Sequence, residues 1–310
     1  MKTKKEHYVP ERYLEAFAQD DQLYVFDKEA GKVFVSNIRD TASQRYYYDV
    51  PELDQETGVS QVIEKFFHPF EGAAATVLND LRSSLDEGSF VAVTKNQRID
   101  LSLFLALQML RTPEARERFV QLTLALKKQE FLSWVRDRRS DFPMDESMFD
   151  LVMDEDHQLR THARAILDHD LRDRLAEIIY QHYWIVLENP FQMPFITSDH
   201  PACNHGTVAH PVRSMQGLAS FGAEVLFPLS PTHLLLIVER QAFPQASRLD
   251  GRLEVLNSAE NVVYYNHWQV HHSFRFLYSI TDDFSLAQSM VEETPDLANP
   301  RNQRIGVRIL

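Results

Sequence analysis

A single cysteine, Cys203, is all the thiol in this chain of 310 residues. That excludes an internal disulfide framework and any zinc or iron–sulfur site built from several cysteines of one chain. Glycine is scarce as well, at 9, and there is no P-loop, no dinucleotide-binding glycine string and no kinase motif set, so glycine-built phosphate cradles are not expected. The longest apolar stretches, such as Leu101–Leu110 and Leu234–Val238, are far too short to cross a bilayer. The opening MKTKKEHYVPERYLEAFAQDD is basic but lacks the apolar run of a secretory signal. These absences predict a cytoplasmic protein that does not enter a membrane.

Basic residues are outnumbered, 32 Lys and Arg against 45 Asp and Glu, for a net charge of −13. Phosphate backbones are held by Lys and Arg, so non-specific nucleic-acid binding is not expected, although a local basic groove stays open. The basic clusters Arg111 to Arg118 and Arg136 to Arg139 read as solvated helix faces. What the chain does have is apolar material: 44% hydrophobic residues with 20 Phe, 11 Tyr and 3 Trp, enough for one large core.

No internal repeat, low-complexity tract or strong linker divides the chain. Residues 1–87 carry short strand-like runs, Gln22–Asp27, Lys32–Asn37 and Tyr46–Val50, with a short helix over Pro10–Ala18. Helical spacing begins at Val59–Leu85, where Pro69 predicts a kink or a new helix start. Helices then dominate residues 88–182: one capped by Thr94 and ending near Leu110, one from Pro113 to Arg138, then Glu146–Met153, Gln158–Asp168 and Leu171–Tyr180. Residues 183–310 are strand-rich, with Trp184–Leu187, Pro194–Thr197, Glu224–Phe227, Leu234–Val238, Phe276–Ile280 and Arg304–Leu310, and a helix over Ser258–Val270. Strands, then a helical layer, then mainly antiparallel strands predict an α+β fold in one large domain.

Several strings stand out along the chain. They are His7-Tyr8-Val9-Pro10 followed by Tyr13-Leu14 and Phe17, then Glu64 and Glu71, and Arg111-Thr112-Pro113. Further on come Ile196-Thr197-Ser198-Asp199 with Pro201, Phe227-Pro228-Leu229-Ser230-Pro231, and Asn266. In this order, from about Lys5 to Asn266, the chain resembles a bacterial family catalogued as domain of unknown function 4238. The resemblance implies no activity, but it marks which polar residues belong to a shared pattern. The family pattern often has Asn after the Ser-Asp pair. Here His200 stands there, which makes it a poor candidate for an obligatory group.

His7, fixed by Pro10, suits proton transfer or metal ligation, or else it bonds a backbone carbonyl. Glu64 and Glu71 are seven apart and share one face of an unbroken helix, where paired carboxylates divide acid and base work or hold a divalent cation. Arg111, at a helix end, suits pinning a carboxylate or an anion. Asp199, at a strand end, reads equally as a metal ligand or as the acceptor of a backbone turn. Ser198 has no Gly-x-Ser-x-Gly elbow around it and is not expected to be a nucleophile. His200, Cys203, His205, His210 and the pair His267/His271 read as a surface cluster rather than a zinc site. Arg164 and His169 have the spacing of helical ribonuclease motifs, which a chain this rich in Arg and His produces by chance.

Together these residues predict a site gathering His7, Glu64, Glu71, Arg111 and Asp199. In it Glu64, Glu71 and Asp199 hold Mg²⁺ or Mn²⁺, Arg111 steadies an anion and His7 moves a proton. The chemistry that fits is metal-assisted hydrolysis of a phosphate ester, as in a nuclease or nucleotide hydrolase of a bacterial defence system. The competing expectation is a non-catalytic sensor or interaction protein in which the same side chains form a buried structural polar network.

Overall fold

The computed structural model of the protein describes residues 5–138, 151–207 and 217–304. Its centre is set by three nearly continuous apolar runs, β5 (Tyr183–Glu188), β8 (Ala223–Ser230) and β9 (His233–Val238), buried almost throughout. Strands of that kind must be covered on both faces. β10 (Arg252–Val255) and β7 (Cys203–Gly206) complete a five-stranded sheet in the order β10-β5-β9-β8-β7, antiparallel except for the parallel β10–β5 pair. Trp184, Val186, Val225, Phe227, Leu235 and Ile237 face the helical layer, while Ile185, Leu187, Leu226, Leu234 and Leu236 face a second core with Phe195 and Val262. Each such side chain contributes about 1.5–3 kcal/mol through burial.

The helical layer consists of α3 (Val62–Asp86), α4 (Lys95–Arg111), α5 (Pro113–Arg138), α6 (Glu155–Leu167) and α7 (His169–Gln181). Local chemistry sets the boundaries. Thr94 caps α4 through a full capping box with Gln97, Asp154 and Asp168 cap α6 and α7, and Pro113 opens α5 where its missing N–H costs nothing. Phe104 on α4 meets Phe227 on β8 edge-on, with centroids 6.1 Å apart.

A second sheet joins the two ends of the described chain, which makes the α+β fold a single domain. β2 (Gln22–Asp27) and β3 (Lys32–Asn37) form a hairpin; β2 pairs with β11 (Phe276–Ser279), which pairs with β6 (Thr197–Ser198). The helices α8 (Ala259–His272), capped by Ser258, and α9 (Ser285–Glu293) pack on it around Phe26, Val270, Leu277 and Phe284. Among the described residues β1 (Lys5–His7) pairs only with β4 (Ser43–Arg45). α1 (Glu11–Leu14) follows Pro10 and tightens into a 3₁₀ turn over Glu15–Phe17.

Three expectations need correction. Tyr46–Val50 is not a strand: Tyr46 has φ 55°, Tyr47, Tyr48 and Val50 bury themselves from a turn, and α2 (Pro51–Thr57) begins at once. Pro69 neither starts nor breaks a helix, since α3 runs through it. Pro69 and Lys65, whose carbonyl loses its partner, are both exposed, so water can take the place of the missing N–H. The cluster Arg111 to Arg118 is not a solvated face. Arg111 is buried, Arg116 lies 3.7 Å above the Tyr47 ring and donates to the Tyr47 carbonyl, and Arg118 pairs with Glu114. β1, β7, β10 and α9 have no strong sequence signature. Most of the helix expected over Glu146–Met153, and nearly all of the strand expected over Arg304–Leu310, fall outside the described residues.

Asp199 is fully buried where β6 meets β11. Its carboxylate accepts the backbone N–H groups of Phe274 and Arg275, each at 2.7 Å, and of Phe276 at 2.8 Å. Burial pushes its pKa up to about 6, against the pull of these amides and Lys28, so at neutral pH it remains largely ionised. An asparagine there would turn an NH₂ group toward backbone donors. Asp199→Asn is expected to cost about 3 kcal/mol in urea unfolding, equally with and without Mg²⁺. A loss below about 1 kcal/mol would show that the amides do not depend on this carboxylate.

Candidate functional site

α3 places Glu64, His68 and Glu71 at i, i+4 and i+7 on one face. Opposite them, α4 ends in Arg111, β1 ends in His7, and Pro10 precedes α1. Together these elements enclose a cavity of about 490 Å³ lined by His7, Glu11, Arg12, Glu64, His68, Glu71 and Arg111, a volume suited to a small ligand. Apolar walls come from Leu78 and Phe104.

Arg111 is 2% exposed, and its guanidinium is bonded on three sides. It forms a salt bridge with Glu71, donates to the His7 carbonyl, and through Nε reaches the Tyr48 hydroxyl at 3.3 Å. The Phe67 ring lies 4.0 Å beneath it. The tyrosine and Glu71 hold Arg111 charged against burial, so its pKa rises. Its role toward the cavity is positional: it fixes Glu71 and the main chain at His7.

The His7 ring bonds a backbone carbonyl, with Nε2 3.2 Å from the Arg39 oxygen, and it also lies 3.4 Å from Glu11. Burial lowers its pKa despite Glu11. The imidazole is therefore mostly neutral at pH 7, with Nε2–H donating and Nδ1 left as an acceptor.

Glu64 is the one carboxyl in the cavity whose environment opposes its charge. Its Oε2 is buried, and no donor among the described residues reaches it. Burial pushes the pKa up to about 7; Arg111 opposes this, while Glu71 and Glu6 add to it. A carboxyl that gains and loses a proton near neutrality is suited to general acid–base work.

Asp199 does not line this cavity. The candidate set is thus divided: His7, Glu64, Glu71 and Arg111 line the cavity, and Asp199, outside its lining, serves β11. Glu71 is engaged by Arg111 and Asp199 by three amides, so Glu64, Glu71 and Asp199 do not assemble around a cation. Among the described residues no group of three His, Cys, Asp or Glu side chains is placed to hold a metal ion. His200 is buried, hydrogen-bonds Thr112 Oγ1 through Nδ1 at 2.7 Å, and has its pKa pushed down to about 3 by burial. Cys203 donates to the His200 carbonyl, and burial raises its thiol pKa. His205 stacks on Trp268, the His267 and His271 rings lie 6.5 Å apart, and His210 is outside the described residues. Arg164 and His169 lie on different helices.

Sequence reasoning missed Glu11, Arg12 and His68 as lining groups. For His68 a signal existed, the i, i+4, i+7 spacing with Glu64 and Glu71. Nothing local marks Glu11 or Arg12, because α1 is only four residues long.

The raised pKa of Glu64 fixes the sign of a stability effect. The folded state holds a proton that the unfolded chain releases near 4.5. The stability linked to that proton is therefore fully present below pH 4.5 and is lost as pH rises through about 7. Glu64→Gln carries no such loss. Between pH 5 and pH 8.5 its stability relative to the parent should rise by about 1–2 kcal/mol, allowing for partial solvent access. Urea unfolding at both pH values checks this, and a constant difference would remove the case for a proton on Glu64.

Comparison with known proteins adds a family but no activity. No curated protein and no solved structure matches the chain. A family model does match, over residues 5–283, a span that takes in all four residues of the cavity set and both sheets. The chain therefore belongs to the family described as protein of unknown function DUF4238.

Proposed function

We propose that the cavity between α1, α3 and the end of α4 is the acid–base centre of a hydrolase, with Glu64 as the group that takes and returns the proton. The observation that carries this reading is the buried, unpartnered Oε2 of Glu64, with a pKa near neutrality, inside a cavity of ligand size. In the ionised form Glu64 would accept a proton from a water attacking the substrate, and it would then pass that proton to the leaving group. The Glu71–Arg111 pair would hold the opposite wall fixed, and His7 Nδ1 would offer an acceptor for a substrate hydroxyl or amide.

A phosphate ester cleaved with the help of Mg²⁺ or Mn²⁺ has less support as the substrate chemistry. Arg111 is already bonded to three groups of its own chain, and Glu71 is bonded to Arg111. Among the described residues lining the cavity, Arg12 is the other Lys or Arg. An uncharged ester, amide or glycosidic bond suits the balance of charge better. The non-catalytic reading has its own observation in the three amides gathered by Asp199. It accounts for Asp199 and Arg111 as scaffold, but it leaves Glu64 without a purpose.

The test is a turnover screen of purified protein on chromogenic esters, amides, glycosides and phosphate esters, with and without Mg²⁺ or Mn²⁺. Activity in one class is expected, with a pH–rate inflection near 7. Glu64→Gln should lower kcat by about 10²-fold or more and abolish that inflection. Turnover that is unchanged in the variant, or absent in every class, would refute the assignment.

A further inference from the structure

On the other side of the α4–α5 junction lies a second cavity, of about 340 Å³. Three cations line it: Lys28, Arg118 and Arg304. One buried carboxylate, Glu114, is shared between two of them, since Oε1 accepts from Arg118 Nε at 2.9 Å and Oε2 from Arg304 Nε at 2.6 Å. Both oxygens of Glu114 are thereby spent, and each guanidinium is held in orientation with donors to spare. Arg304 uses Nη1 on the Asn302 carbonyl, leaving Nη2 without a partner among the described residues.

Lys28 is 2% exposed and has no carboxylate of its own. Its ammonium donates to the carbonyls of Val270 and Ser273 at the C-terminal end of α8, at 3.0 and 2.8 Å. An ammonium has three donors, so one remains. Burial pushes its pKa down to about 8, which marks a cation short of counter-charge. His272 also lines the cavity, with Nδ1 3.4 Å from Arg118 Nη2, and its buried Nε2 meets no partner among the described residues. Against Glu114 and Asp296, the lining keeps an excess of positive charge in a chain whose net charge is −13.

We infer that this second cavity is a binding site for a phosphate group, held by Arg118, Arg304 and Lys28. The three cations exceed the two carboxylates by one charge, and their spare N–H donors match the several oxygens of a phosphate better than the two of a single carboxylate ligand. The volume leaves room for a small organic body attached to the phosphate, beside Leu297. The site is separate from the Glu64 cavity and does not depend on the activity proposed for it.

Isothermal titration with inorganic phosphate and with glycerol 3-phosphate, at ionic strength fixed by NaCl, tests the inference. One saturable site per chain is expected, with affinity lowered roughly tenfold or more in Arg304→Gln and in Arg118→Gln. Arg304 lies on the 299–304 segment rather than in the core, so this variant keeps the test valid if Arg118→Gln unfolds. Melting curves without phosphate verify that each variant is folded. Equal affinity for the two probes identifies free phosphate, and tighter binding of the ester identifies an organic phosphate; either supports the site. The inference fails if neither probe binds, if Arg304→Gln binds undiminished, or if Arg12→Gln in the first cavity is the variant that loses binding.

Discussion

A guanidinium 2% exposed to water cannot stand alone, because an unpaired charge in the interior costs several kcal/mol. Arg111 therefore dictates where its partners must be. Glu71 on α3, the His7 carbonyl after β1 and the Tyr48 hydroxyl all converge on it, above the Phe67 ring. Tyr48 in turn donates to the Arg111 carbonyl at 2.9 Å, closing the end of α4. The rotation of α3, the path of the chain before α1 and the position of the first cavity all follow from satisfying this one cation.

The same logic operates a few residues further on. Thr112 bonds His200, and Glu114 gathers Arg118 and Arg304. The α4–α5 junction thus has Arg111 lining one cavity and Glu114 lining the other. Lys28 and Asp199 act nearby in the same way: one caps the carbonyls at the end of α8, and the other collects the amides that begin β11. Each of these buried polar groups is held by hydrogen bonds from its own chain, which makes the joint between the helical layer and the two sheets specific as well as stable.

Against that background the polar residues of the family strings divide into two kinds. Tyr13 spends its hydroxyl on Thr197 at 2.7 Å and the Pro228 carbonyl at 2.8 Å, while Asn266 bridges Ile196 and Pro194. Asp199 and Arg111 are likewise spent on their own chain. Glu64 is different, because it keeps an oxygen that no donor among the described residues satisfies. Unused hydrogen-bonding capacity beside a cavity, rather than polarity alone, separates a candidate functional group from a structural one.

Local chemistry made much of this protein legible in its sequence. The apolar runs of β5, β8 and β9 declared strands, Thr94 and Ser258 declared helix starts, and the helical spacing of Glu64 and Glu71 put them on one face. Those signals are local: a cap, a period or a run acts within a few residues. Tertiary structure decided the rest. β1, β7 and β10 are short and partly polar, and they are strands only because distant partners complete their hydrogen bonds. Pro69 passes through α3 because it faces solvent, a fact of packing rather than of proline. Asp199 was evenly poised between metal ligand and turn acceptor, and three amides some 75 residues away made it the latter. Whether a buried side chain has anything left to offer a ligand depends on which groups the fold brings against it, and that is settled in space.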